Sequence, residues 1–184
     1  MDLVARAKSM LTTPKTEWPV IATEASDTAS LYTGYIAPLA AIGPVALLIS
    51  MTVIMGLGTA VSLAIGLFVS SLVGVFIMAL VVSKLAPSFG GRDDMGQALK
   101  LVAYSHTPAW IASVLLLFPP LALLVLLAAL YGIYLYYLGA PATVGVRQEK
   151  AAVYTLVSIV VVVIVSIALR YLLALIVGGQ MAMM

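Results

Sequence analysis

The chain predicts an all-α integral membrane protein, with five transmembrane helices following a short N-terminal amphipathic helix at the interface. Three observations predict it. Of 184 residues, 64% are hydrophobic and only 9% charged, whereas a soluble domain is about a quarter charged; no water-soluble fold hides so much apolar surface. Residues 98–141 hold two apolar runs, 101–118 and 121–138, back to back across Pro119-Pro120, with no Asp, Glu, Lys or Arg between Lys100 and Arg147. A bilayer core takes about 20 apolar residues per helix, and neither proline can donate a backbone hydrogen bond, so this stretch predicts a hairpin that crosses, turns at the prolines and returns. Finally, eight of the nine Lys and Arg fall on one side of a five-span arrangement, the cytoplasmic side by the positive-inside rule.

Residues 1–30 form the expected cytoplasmic segment. Leu3, Val4, Ala7, Met10 and Leu11 recur at helical spacing, with Arg6, Lys8 and Ser9 on the other side. That pattern predicts a helix lying in the headgroup plane, ended by Thr12-Thr13-Pro14. Arg6, Lys8 and Trp18 are the expected interfacial anchors, Trp because its amphipathic ring favours that depth. Ser26, Asp27 or Thr28 offers an N-cap for span 1, residues 31–55, which Pro38 and Pro44 should kink. Span 2, residues 58–85, carries Gly58, Ser62, Gly66, Ser70 and Gly74 at every fourth position. Such a ladder lets another backbone approach closely and predicts a buried seam within the bundle or between protomers; a groove for a lipid or small solute is the alternative. Residues 84–100 form a charged connection, spans 3 and 4 occupy 98–118 and 121–138, and residues 138–150 form a second polar connection. Span 5 covers 152–177, and 178–184 is a short extracytoplasmic tail.

Composition restricts the chemistry. The chain has no Cys and a single His, so disulfides, thiol nucleophiles and Cys- or His-rich metal sites are excluded. A net charge of +2 does not suggest nucleic acid. The first apolar span starts only after Tyr32, so no cleavable signal is expected, and no lipidation motif is evident. Asp93 and Asp94 are adjacent and do not present an opposed acid and base. No nucleophile elbow, zinc-helix or phosphate-loop motif occurs. No cofactor or metal is expected, and the reading is not an enzyme.

Candidate functional or packing residues lie within the spans. Arg170 stands about 27 Å along span 5 at 1.5 Å per residue, where it either snorkels to outer headgroups beside Tyr171 or faces a polar cavity. Tyr154, Ser158, Ser166 and Arg170 share one helix phase. His106 lies about 12 Å into span 3 on a face with Trp110 and Ser113, beside the expected kink at Pro108. It serves as a proton relay or bonds a neighbouring carbonyl, such as the one Pro108 frees, or a Tyr. Tyr131, Tyr134 and Tyr137 recur at three-residue spacing on span 4, beside Tyr136, as an aromatic belt with Tyr131 deep enough to reach His106 or span 1. No span carries an acidic residue, which counts against ion-coupled transport.

Local motifs add a resemblance. The stretch Thr13-Pro14-Lys15-Thr16-Glu17-Trp18-Pro19-Val20-Ile21 is similar to a proline-x-x-x-tryptophan entry. Ala103-Tyr104-Ser105-His106-Thr107-Pro108 is like an Ala-Tyr-x-x-Thr/Ser-Pro motif, and Tyr137-Leu138-Gly139-Ala140-Pro141 matches Tyr-Leu-Gly-x-Pro. In this order the chain resembles the Yip-type five-span membrane protein family, in its bacterial inner-membrane branch, from Met1 to about Val177. The resemblance implies a non-catalytic role and a bacterial inner (plasma) membrane setting. Eukaryotic members are implied to bind Rab-type GTPases in secretory membranes, but this chain lacks their long polar N-terminal domain.

The function expected is therefore a membrane-organising or protein- and lipid-interaction scaffold. Its partners would be membrane lipids, other membrane proteins or a second copy, with the N-terminus cytoplasmic and the C-terminus extracytoplasmic. The alternative is a small channel or transporter for an ion or small solute, using Arg170, His106 and the span-4 tyrosines.

Overall fold

The computed structural model describes residues 2–25 and 27–181, apart from the side chains of 119, 169, 170 and 172–181. Every regular element among them is helical. Helix α1 (Leu3–Thr12) opens at Asp2, whose carboxylate accepts from the Val4 and Ala5 amides, and closes at Thr13. The same Thr13 begins α2 (Pro14–Thr23), with Pro14 in its first turn. Proline suits that place because its missing N–H would be unpaired there anyway. Helix α3 (Thr28–Met55) is capped by Asp27, which accepts from the Ser30 amide. It widens into a π turn at Tyr32–Ile36, where the Ala37 amide reaches the Tyr32 carbonyl, just before Pro38 deprives the Gly34 carbonyl of its donor. A second interruption falls at Ala41, ahead of Pro44. Both expected kinks are therefore local changes of helical pitch.

Gly56, at φ 79°, a conformation glycine adopts without a Cβ clash, turns the chain into α4 (Leu57–Leu85). Helices α3 and α4 pack as an antiparallel hairpin with the small buried side chains Ala46, Ala60 and Ala64. A 3-10 turn, Ala86–Phe89, leads into α5 (Met95–Ser105), which starts at Asp94 with its carboxylate on the Gln97 amide. From Ala98 to Ser105 every residue of α5 is buried. It is the centre of the molecule, enclosed by α2, α4 and α7 (Ala122–Ala142).

Here the structure departs from the expected third span. Residues 98–118 do not form one helix. The chain breaks at His106, resumes as α6 (Thr107–Ala112), tightens to a 3-10 segment at Ser113–Leu117, and turns through Phe118 and Pro119–Leu121. Pro108, in the first turn of α6, removes a donor from the helix that would have continued through it. Helix α7 runs back along all these pieces. Helix α8 (Ala151–Met181) packs on α7 and α4 and continues past the expected end at 177; residues 182–184 lie outside the described residues.

Among the described residues four helices are long and apolar enough to cross a membrane: Thr28–Met55, Leu57–Phe89, Ala122–Ala142 and Gln148–Ala168. Their outward faces carry Ile49, Val53, Phe76, Leu126, Val163 and Ile164, all exposed. A belt this apolar needs lipid as its solvent. The protein is an integral membrane protein.

Candidate functional site

Several charged side chains gather in one cluster where the α1–α2 hairpin meets α5. Arg6 is 8% exposed and pairs with the carboxylates of both Glu17 and Glu24, while its guanidinium lies 5.9 Å from the centre of the Tyr104 ring. Lys100, 4% exposed, donates to the backbone carbonyls of Ile21 (3.0 Å) and Glu24. Gln97 Nε2 donates to the Ala22 carbonyl at 3.0 Å. Together Lys100 and Gln97 satisfy the C-terminal carbonyls of α2, where a cation also suits the helix dipole. Beneath them, Trp18 meets Tyr104 edge-on at 6.4 Å, Tyr104 lies 4.6 Å from Tyr35, and Tyr35 shares a 2.7 Å hydrogen bond with Thr107. Glu24, Ser30, Gly34, Tyr35 and Tyr104 border a pocket of about 470 Å³.

Two of the expected interfacial anchors are corrected by this arrangement. Arg6 does not share the outward side of α1 with Lys8; it turns inward with Ala7 and Met10, because Glu17 and Glu24 wait there. Trp18 is 1% exposed, pressed against Gly139 of α7. A Cβ at Gly139 would stand 2.5 Å from Trp18 Cε2, so only glycine admits the indole. Lys8 does face outward. Both α2 and the Glu17–Arg6–Glu24 cluster escaped the sequence reading. The signals were present: Thr13-Pro14 with Glu17 in the first turn is a helix start, and Arg6 lies four residues from Met10, on the same face.

The other candidates are scattered. Nδ1 of His106 bonds the Val102 carbonyl at 2.7 Å, not the carbonyl that Pro108 frees, and its ring lies 5.5 Å from Trp110. Trp110 and Ser113 are linked in turn, the Ser113 hydroxyl donating to the Trp110 carbonyl. Tyr131 reaches neither His106 nor span 1; its hydroxyl donates to the Leu11 carbonyl of α1 at 3.0 Å, and Tyr134 sits 5.8 Å from it. Tyr136 instead stacks on Tyr154 at 6.0 Å, whose hydroxyl donates to the Val82 carbonyl at 2.7 Å. Tyr154 and Ser158 are buried while Ser166 is exposed, so the expected polar face of α8 is buried only in its N-terminal half. Among the described side chains of α8 none beyond Ser158 is buried. The side chain of Arg170 lies outside those described.

Of the two places expected for the small-residue ladder, a seam within the bundle or between protomers, the first is not formed. Gly58, Ser62, Gly66, Ser70 and Gly74 are all exposed, and a Cβ added at Gly58, Gly66 or Gly74 meets nothing within 4 Å. No seam inside the bundle uses them, whereas Ala60 and Ala64 of the same helix are buried. At the opposite end of α4, Asp93 bonds Lys84 and Ser83, both at 2.6 Å. The Lys84 bond first, and then that of Ser83, hold its carboxyl below the usual carboxylate range. Among the described residues no group of three or more His, Cys, Asp or Glu could hold a metal ion.

No curated protein and no solved structure matches the chain. A family model, the Yip1 domain, matches residues 8–170, from within α1 to the C-terminal part of α8. The chain belongs to the Yip1 domain family, trafficking-related membrane proteins that are generally non-enzymatic.

Proposed function

We propose that this protein is a non-enzymatic scaffold of a bacterial inner membrane that gathers other membrane proteins, or a second copy of itself, through the outward ladder of α4. One observation carries the reading: five small residues at four-residue spacing stand on a face with open space before them. A groove of that kind admits a partner backbone at close range, the main source of helix association where lipid is the solvent. Ser62 does not compete for the partner's polar groups, since it already donates to the Gly58 carbonyl. The ionisable side chains of the hairpin cluster are paired or serve as caps, which fits a structural role for them.

In this reading the segment 95–117 is a fifth, broken crossing. Irregular backbone is tolerated at membrane depth where protein buries it, and α5 is buried throughout. The N-terminus and the loops at 86–94 and 143–150 then face the cytoplasm, with their Lys and Arg, and the C-terminus faces outward.

Gly66→Leu fills the groove without touching the rest of the bundle. Energy transfer between donor- and acceptor-labelled copies in proteoliposomes should fall to the level of a non-associating control, with an unchanged melting temperature. If a proteomic cross-linking partner is lost instead while copies never associate, the occupant is another protein. Wild-type association of both kinds in Gly66→Leu sinks the proposal.

A further inference from the structure

The break between α5 and α6 leaves a cavity of about 120 Å³ walled by α4, α7 and α8. Met78, Ile133 and Ile159 supply apolar wall; Ser105, His106 and Tyr136 supply the polar part. Two features make it more than a packing gap. The Ser105 hydroxyl is buried, the residue only 5% exposed, and has no hydrogen-bond partner among the described residues. Buried hydroxyls left unmet destabilise a fold, and most in native proteins are satisfied. His106 donates from Nδ1 to Val102, so in the neutral ring Nε2 remains as an acceptor.

The walls also specify what fits. They carry no Lys, Arg, Asp or Glu, so a charged guest would be desolvated without compensation. The volume is of the order of an engineered apolar cavity of about 150 Å³ that accepts benzene. Ile133 is 40% exposed and is at once a wall and part of the outward apolar belt, so the cavity adjoins the bilayer. We propose that this cavity binds a small neutral amphiphile entering from the membrane, one hydroxyl group on an apolar body of about five carbons. The hydroxyl bonds the Ser105 and His106 side chains; the body lies against Met78, Ile133 and Ile159.

The test uses the whole protein in phosphatidylethanolamine–phosphatidylglycerol vesicles and a short diazirine-bearing alcohol as the probe. After irradiation, mass spectrometry should place the label on the peptides of Met78, Ile133 or Ile159. Pentanol should compete, and pentane at equal membrane concentration should not. Ser105→Ala, which removes only the unmet hydroxyl, should lower labelling about five- to ten-fold, as the loss of one hydrogen bond does. If Ser105→Ala fails to fold, the competition by pentanol against pentane alone decides. Labelling absent from these walls, equal competition by pentane, or wild-type labelling of a folded Ser105→Ala overturns the proposal.

Discussion

Arg6 shows how a single charge can tie a peripheral element to a membrane bundle. Its two carboxylate partners are Glu17 of α2 and Glu24, the residue that caps the C-terminus of α2, and its face lies over Tyr104 of α5, so one guanidinium joins three helices. Removing one member of a buried ion pair costs about 3–5 kcal/mol; here Glu24 remains 36% exposed and hydrates when abandoned, so the expected loss for Arg6→Met is about 2 kcal/mol. Adding Glu17→Gln and Glu24→Gln should recover most of it, since no carboxylate is then left uncompensated. Denaturant unfolding in mild detergent measures both variants, and equal loss in the single and triple variants contradicts the pairing. Asp93 makes a pH-dependent prediction. Its folded pKa lies below the usual value of 3.8, so its contribution is whole above that value and is lost as pH falls through the folded one. The melting difference between wild type and Asp93→Asn, measured from pH 6 to pH 3, should therefore shrink steadily at the acid end. Neither interaction can be read from composition, because charge counts locate a residue along the chain and say nothing of what the fold brings beside it.

Among elements, glycines decide how closely the helices meet. Gly139 accepts Trp18, and Gly132 lies where a Cβ would stand 2.6 Å from the Ser105 carbonyl oxygen. Gly139→Ala forces the buried indole to move, an overpacking cost of about 1–3 kcal/mol. Because the strain passes through α2, limited proteolysis should cut the Thr23–Thr28 connection faster in that variant; an unaltered cleavage rate argues against the packing. Gly66→Leu, on an open face, should leave stability untouched, and the contrast between the two glycines separates internal packing from association. Much of this level was legible in the sequence. The ends of α1, the turn at Pro119-Pro120, the cap at Asp27 and the irregularities at Pro38 and Pro44 all follow from local chemistry that needs no tertiary context. The direction of the α4 ladder was not legible, since four-residue spacing defines a face without saying which neighbour it meets. Helix α2 was missed for another reason. Pro19 in its interior speaks against a helix locally, and Trp18 at its centre reads as an interfacial anchor; the packing of Trp18 against Gly139 is not visible in the sequence.

At the scale of the whole molecule, hydropathy identified the membrane class and four of the five expected spans, because apolar surface that faces lipid must be written into the chain. The segment between α4 and α7 obeys a different rule. Buried on all sides from Ala98 to Ser105, it can contain a break at His106 that a lipid-exposed helix could not carry. Length and hydropathy therefore do not show whether it crosses. The absence of cysteine allows a direct answer with single-cysteine variants. Asp93→Cys lies before the segment and Phe118→Cys after it, and both native side chains are exposed. Gln148→Cys, also exposed, lies beyond α7. In a five-crossing protein a membrane-impermeant maleimide added to intact cells should label Phe118→Cys alone, and the other two only after permeabilisation. Were Asp93→Cys and Phe118→Cys to react from the same side, residues 95–117 would enter and leave the bilayer on one face. The C-terminus would then share the cytoplasm with the N-terminus, and the outer half of α8 would have to be placed anew.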